Sequence, residues 1–170
     1  MRFTAVLAPL ALVATTVFGQ AIVESLNTVN DKTLQLGKAV TNWNGKLFSA
    51  LPIVKVSADV LASIQKGTKA TKKSEPLDFL GALGVAEATT KLAVSVNSSL
   101  TTLIDAKPKF DKLLLSPVIL TTLGVQKKAT TEMSAAIIEK VPAELREIAG
   151  ELVKPIDASF ELAIDAYHPF

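Results

Sequence analysis

The chain has 170 residues, of which 49% are hydrophobic and 20% are charged, and 18 Lys and Arg residues nearly balance 16 Asp and Glu residues. This length corresponds to one domain, and a formal charge of +2 is too small for a nucleic-acid-binding domain. There is no cysteine. Disulfides and thiol chemistry are therefore excluded, and packing of the core must hold the fold together.

The first 19 residues have the pattern of a secretory signal peptide. Arg2 supplies a positive charge, residues 3–17 are almost uninterrupted apolar, and short side chains surround Gly19 at the expected cleavage position. The apolar run is shorter than the roughly 20 residues that a transmembrane helix needs. We predict a signal peptide over 1–19, a mature domain over 20–170 with no transmembrane segment, and secretion, with the cell wall as the alternative location.

The mature chain begins with two predicted helices. Apolar or small residues recur every three or four positions over residues 22–47, which indicates an amphipathic helix that ends near Asn44-Gly45. A second helix is expected over residues 49–67, with Pro52 in its first turn, where a missing N–H is harmless. Residues 66–76 are rich in Lys, Thr and Ser, which favours a solvated linker.

Three further helical regions follow. A short apolar turn near residues 77–80 is interrupted by glycines, and a third helix is predicted over 85–106. A break at Lys107-Pro108 leads to a fourth region over 109–140, and the last helix is expected over 143–167.

Kinks or restarts are expected inside the last two regions. The fourth contains Ser116-Pro117 and Gly124, and the last contains Pro155, where we expect a bend. No alternating strand pattern occurs. The predicted fold is all-α, a single bundle of about five amphipathic helices.

Catalytic and metal chemistry are not indicated. His168 is the only imidazole, and it lies close to the C-terminus. Glu144, Glu147 and Glu151 share one helix face, but no second carboxylate helix is apparent to face them. We therefore predict a protein that is not an enzyme, with no catalytic residues, no metal and no cofactor.

Charge is unevenly distributed along the chain. Residues 66–128 carry ten Lys against five acidic residues, whereas residues 132–165 carry three basic residues against eight acidic ones. This is either a solvated surface or a patch for anionic head groups, wall polymer or another protein. Asn97-Ser98-Ser99 is an N-glycosylation sequon, and helical spacing places Asn97 on the solvent side of the third helix.

Three segments carry a resemblance to a known family: Leu103–Phe110, Ile138–Leu145 and Phe160–Tyr167. Together with the signal peptide and the cysteine-free domain, they resemble the fungal hydrophobic surface-binding protein A family, which includes antigenic cell-wall galactomannoproteins. The resemblance covers essentially the whole mature chain. It implies an all-α domain, secreted or associated with the wall, that adsorbs to hydrophobic surfaces or encloses a fatty acid between its helices.

The inner helix faces are mostly Leu, Val, Ile and Ala, which suits either a smooth aliphatic tunnel or an ordinary solid core. The apolar candidates for a tunnel wall are Leu36, Val40, Trp43, Leu61, Leu92, Val96, Leu103, Phe110, Leu152, Ile156 and Phe160. Polar residues on these stripes either meet a lipid head group or bond to their own backbone. They are Thr33, Gln65, Thr89, Ser99 and Ser159.

Two hypotheses for the function follow. The first is a secreted non-catalytic protein that binds a fatty acid or other lipid, or a hydrophobic solid surface. The second is a structural or interaction protein of the wall that recruits another secreted protein, such as a polyester hydrolase. A continuous internal void favours the first, and a solid core with an exposed apolar patch favours the second.

Overall fold

A computed structural model describes residues 19–168, and in that part of the chain there are six α-helices and no strand. They are α1 (Gln20–Thr41), α2 (Leu51–Lys73), α3 (Phe79–Asp105), α4 (Lys107–Lys112), α5 (Ser116–Lys140) and α6 (Arg146–Tyr167). Single 3₁₀ turns, Phe48–Ala50 and Ala143–Leu145, precede α2 and α6. The all-α prediction is confirmed. The predicted signal peptide lies outside the described residues except for Gly19.

The expected number of helices and two of their boundaries were wrong. A sixth helix exists because α4 is separate from α5, with the break just before the predicted restart at Ser116. The segment predicted as a linker is mostly helix, since α2 continues to Lys73. Its lysines face solvent, while Gly67 is buried so closely that a Cβ there would lie 2.7 Å from Met133 Cε. The many Lys, Thr and Ser residues of this segment made its narrow buried face undetectable in the sequence.

The third helix begins at Phe79 rather than at Val85. The carboxylate of Asp78 accepts a hydrogen bond from the Gly81 amide at 2.7 Å, which caps the helix and carries it through the glycines. Helix α5 is uninterrupted at Gly124, so the helix does not restart there, and α6 likewise continues through Pro155. A bend of the α6 axis at Pro155 stays a prediction. Pro155 is exposed, so its ring occupies the outer face of α6.

The five long helices form a closed ring in the order α1, α3, α6, α5, α2, and each packs against two neighbours. Helices α1, α3 and α6 run in one direction, and α2 and α5 run in the other. Pairs of contacts between neighbouring helices establish these directions. Gly37–Ser99 with Gly19–Gly81 makes α1 and α3 parallel, and Asn97–Ser159 with Leu103–Tyr167 makes α3 and α6 parallel. Ser57–Gln126 with Gly67–Met133 makes α2 and α5 parallel, Ser25–Gly67 with Lys32–Asp59 makes α2 antiparallel to α1, and Lys127–Glu161 joins α5 to α6.

A ring of five helices has a wide centre. With packed axes about 10 Å apart, the centre of a regular five-membered ring lies about 8.5 Å from each axis. A helix with its side chains has a radius of about 5–6 Å, so a central space about 3 Å in radius remains. The topology therefore favours a cavity along the ring axis.

One end of the ring is closed by aromatic side chains at the ends of α1 and α6 and on α4. The rings of Trp43 and Phe110 have centroids 4.3 Å apart, and Tyr167 meets Phe110 edge-on at 6.3 Å. The Trp43 indole N–H donates to the Lys46 carbonyl at 2.9 Å, and the Tyr167 hydroxyl donates to the Leu103 carbonyl at 2.7 Å. The polar atoms of both side chains are thus satisfied, and we call this end the closed end.

Two stretches, Phe48–Lys73 and Phe79–Asp105, are long and apolar enough by composition to cross a membrane. Both pack as members of the ring, and α3 supplies much of the core. The expectation that the mature domain has no transmembrane segment stays a prediction.

Ionisation of Tyr167, the only tyrosine in the chain, is expected to lower the free energy of unfolding at alkaline pH. Burial, reinforced by the Asp111 carboxylate, raises the pKa of Tyr167 well above its ordinary value near 10. The unfolded chain therefore loses this proton at lower pH than the native state, so the contribution is full below about pH 10 and is lost as the pH rises further. We expect tyrosinate absorbance to appear together with the loss of circular dichroism. Tyrosinate formation near pH 10 with helicity intact would contradict this.

Candidate functional site

The ring encloses a cavity of about 190 Å³. All five long helices contribute to its wall. Along α3 the lining residues run from Phe79 to Leu100, a distance of about 30 Å at 1.5 Å per residue. The space is therefore long and narrow, as the ring geometry requires.

The wall is mostly aliphatic, with Phe79 and Phe160 as its aromatic members, and it carries no charged side chain among the described residues. Its buried apolar members include Leu26, Val29, Leu36, Val60, Ile64, Val85, Leu92, Val96, Leu100, Met133, Ile137, Ile156 and Phe160. Five buried polar residues interrupt it: Thr33, Thr89, Ser99, Gln126 and Thr130. A charged ligand group inside the cavity would meet no counter-charge from this wall.

The buried polar groups of the wall already use their donors. The hydroxyls of Thr33 and Thr89 donate to the carbonyls four residues before them at 2.8 Å, and Thr130 does the same at 2.9 Å. Ser99 Oγ donates across to the Thr33 carbonyl of α1 at 2.9 Å. The Gln126 amide nitrogen donates to both oxygens of Ser57 at 3.1 Å. The wall therefore behaves as apolar, and its polar groups tie the helices together.

The mouth lies at the end opposite the aromatic cluster. Phe79 is 65% exposed although it lines the cavity, and Leu83 and Ile148 are also exposed. These residues belong to the first turns of α3 and α6, which start side by side because the two helices are parallel. The rim is held by the α2–α3 connection, where the Lys140 ammonium donates to the Ser74 carbonyl at 2.6 Å.

The cavity brings together part of the set expected from sequence. Leu36, Leu92, Val96, Leu152, Ile156 and Phe160 line it, and so do Thr33, Thr89 and Ser99. The structure places Val40, Trp43, Leu103 and Phe110 in the closed end beneath the cavity. The periodic pattern identified their helix face correctly, but it contains no information about where the ring is capped.

Three other candidates lie away from the cavity wall. Leu61 is half-buried, and Gln65 is exposed on the outer face of α2. Ser159 donates its hydroxyl proton to the Pro155 carbonyl at 2.7 Å and lies 3.5 Å from the exposed Asn97 side chain. Asn97 thus faces solvent as expected, and its glycosylation stays a prediction.

Sequence reasoning missed the contribution of α5. Gln126, Thr130, Met133 and Ile137 follow one another at spacings of four, three and four residues, and all line the cavity. This signal was present in the sequence. The expected kink at Gly124 and the polar character of two of these residues concealed it.

A family model of hydrophobic surface binding protein A matches residues 19–139. The chain belongs to this family. Two curated relatives are cell wall mannoprotein 1 of Aspergillus flavus, 31% identical, and of Aspergillus fumigatus, 29% identical. Each alignment covers 98% of this chain, but the chain spans only 63% and 60% of these relatives.

Several solved structures share the fold of this protein. Afmp4p in complex with palmitic acid superposes with a TM-score of 0.83 at 22% identity, covering 86% of this chain and 97% of that one. Ligand binding domain 1 of the Penicillium marneffei MP1 protein, complexed with arachidonic acids, gives a TM-score of 0.84 at 17% identity. That match covers 88% of this chain and 98% of the other. At these identities the likeness concerns the fold.

The hydrogen bonding of the wall predicts that its threonine hydroxyls are dispensable for ligand contact. In Thr89→Val and Thr130→Val the shape of the wall is kept and a hydroxyl that serves its own helix is lost. We expect the affinity for an acyl probe to change by less than about threefold, a free-energy difference below about 0.7 kcal/mol. Fluorescence titration measures it, and a tenfold loss in either variant would show that the hydroxyl contacts the ligand.

Proposed function

We propose that this domain is a secreted, non-catalytic lipid-binding protein that holds an acyl chain in the cavity of its helix ring. The observation that carries the proposal is the aliphatic cavity, about 30 Å long by the rise of α3 and open at one end. An internal void favours lipid binding over a wall interaction protein with a solid core. Recruitment of a polyester hydrolase stays a prediction.

The dimensions suit an acyl chain. The hydrocarbon core of a bilayer is about 30 Å thick and contains two opposed layers of tails, so one extended tail measures about 15 Å. The cavity accommodates that length within the span from Phe79 to Leu100. Palmitic acid in Afmp4p and arachidonic acids in the MP1 domains are ligands of this type in proteins of the same fold.

Burial of methylene groups would dominate the binding free energy. A tail of about 14 methylenes contributes roughly 11 kcal/mol before the costs of association, whereas one hydrogen bond to a head group adds about 1 kcal/mol net. Affinity should therefore follow chain length.

The polar end of the ligand belongs at the mouth. The wall offers no cation, and its buried polar residues have committed their donors to Val29, Val85, Thr33, Gln126 and Ser57. A carboxylate placed deep in the cavity would lose its hydration without replacement, which is costly. At the mouth it stays in water, while the tail extends towards the closed end.

The family and the N-terminal sequence support an extracellular location. The curated relatives are named cell wall mannoproteins, and residues 1–19 have the composition of a signal peptide. We propose that the protein is extracellular, either free or held in the cell wall, and that Asn97 carries glycan.

Filling the cavity should abolish lipid binding. Val96 is buried in the wall at the middle of α3, so Val96→Trp places an indole in the space that the tail occupies. We expect the dissociation constant for palmitate to rise at least tenfold, with helicity retained, in calorimetric titrations. The matched control is Val94→Trp, two residues away on the same helix, where the side chain is 68% exposed and outside the cavity wall.

Unchanged affinity in Val96→Trp would exclude the cavity as the binding site. Organic extraction of protein purified from the secreting host, followed by mass spectrometry, identifies the ligand that the cavity holds at purification.

A further inference from the structure

A second surface of the molecule combines exposed apolar side chains with lysines. It is formed at the closed end by residues 38–55 and 105–118, and we call it the basic tip. Its exposed apolar side chains are Leu47, Phe48, Leu51, Val54, Leu114 and Val118. Phe48 and Leu114 are each 85% exposed, the highest values among the exposed large hydrophobic residues of the described chain.

The two segments of the basic tip are joined to one another. The Lys109 ammonium donates to the Trp43 carbonyl at 3.2 Å, and the Lys109 stem runs alongside Gly45. Beneath them, Trp43 packs against Phe110 in the aromatic cluster of the closed end. The tip is therefore one continuous surface anchored on the core.

The exposed Leu114 has an unfavourable backbone conformation. Its φ of +57° lies in the left-handed region, which a leucine rarely adopts. The Leu114 amide donates to the Asp111 carbonyl at 3.0 Å, and the Leu115 amide donates to the Phe110 carbonyl at 2.9 Å, which fixes the turn. A glycine or asparagine would fit this turn with less strain. The Leu114 side chain is 85% exposed, so no apolar contact within the monomer offsets this backbone strain.

The charge of the basic tip is strongly positive. Its two segments contain six lysines and two aspartates. Lys107 pairs with Asp111 at 2.8 Å, and Lys55 pairs with Asp59 of α2 at 3.4 Å. The exposed Lys46 and Lys112, which flank Phe48 and Leu114 in sequence, form no ion pair within residues 19–168.

We propose that the basic tip docks the protein onto an anionic lipid bilayer. Phe48, Leu114 and their apolar neighbours enter the boundary between head groups and acyl chains, and Lys46 and Lys112 meet the anionic head groups. The segment that leads into α6 at the mouth has the opposite charge balance, because residues 139–151 contain four glutamates against Lys140 and Arg146. Docking at the tip leaves the mouth, at the other end of the ring, open to solvent. The proposal is independent of what the cavity binds.

The test is co-sedimentation of the mature domain with vesicles of phosphatidylcholine alone or of phosphatidylcholine mixed with phosphatidylglycerol. The tip variant is Phe48→Ser with Leu114→Gly, and both changes are at exposed positions, with glycine relieving the strained turn. We expect it to bind the anionic vesicles at least tenfold more weakly, because it removes two side chains that would leave water. The matched control, Leu80→Ser with Val94→Ser, removes two side chains elsewhere that are 74% and 68% exposed, and it should bind as the parent does.

A charge variant tests the head-group contact. In Lys46→Gln with Lys112→Gln we expect a loss of about fivefold for each lysine on the mixed vesicles, and the loss should shrink as salt is added. Val96→Trp should keep full vesicle binding while it loses palmitate binding. A failure of the docking proposal can therefore be distinguished from a failure of the lipid-binding proposal.

Several results would overturn the docking proposal. They are an absence of binding to the mixed vesicles, equal binding to neutral and anionic vesicles, and an equal loss in the tip variant and its control.

Discussion

Closure of five helices into a ring is the constraint on which the rest of this structure depends. At ordinary packing distances such a ring is wider at its centre than its own side chains can fill, whereas a four-helix ring closes on itself. The sequence meets this geometry with Leu, Val and Ile on the inner faces and leaves a space between them. The cavity is thus a property of the architecture and not of a few special residues.

Polar residues have a structural task inside this ring. Ser99 links α3 to α1, and Gln126 links α5 to α2, so each bond joins neighbours in the ring. Threonines on the same faces return their hydroxyls to their own helices. The wall is held in place by groups that are satisfied within the protein, and the space between the helices stays apolar.

The sequence predicted the helices well and their arrangement poorly. Periodicity from Ile22 and around Ile156 identified the buried faces of α1 and α6, because one helix face is sufficient to reveal burial. It did not reveal the extension of α2 past Gly67 or of α3 before Val85, since a glycine buried against a neighbouring helix resembles a helix breaker in the sequence. Leu36 and Trp43 lie on one stripe, yet one lines the cavity and the other caps it. That distinction depends on ring order and on α4, which sequence spacing does not encode.

The two ends of the ring differ in chemistry, so the two proposed contacts, with an acyl chain and with a bilayer, lie at opposite ends of one small domain. The start of α3 and α6 forms an apolar rim with acidic residues nearby, whereas the opposite end is plugged by aromatic rings and covered by lysines. A surface contact at one end does not obstruct passage at the other, and the rigid helices between them keep the two about 30 Å apart.

An unfilled interior also has a thermodynamic consequence. By the relation between cavity volume and stability, a void of about 190 Å³ corresponds to a deficit of about 4–5 kcal/mol relative to a filled core. A chain without disulfides has no cross-link to offset that deficit. A lipid bound as we propose would therefore serve as a removable part of the hydrophobic core. The empty form would be the more compressible one, and it would unfold under hydrostatic pressure with the larger decrease in volume.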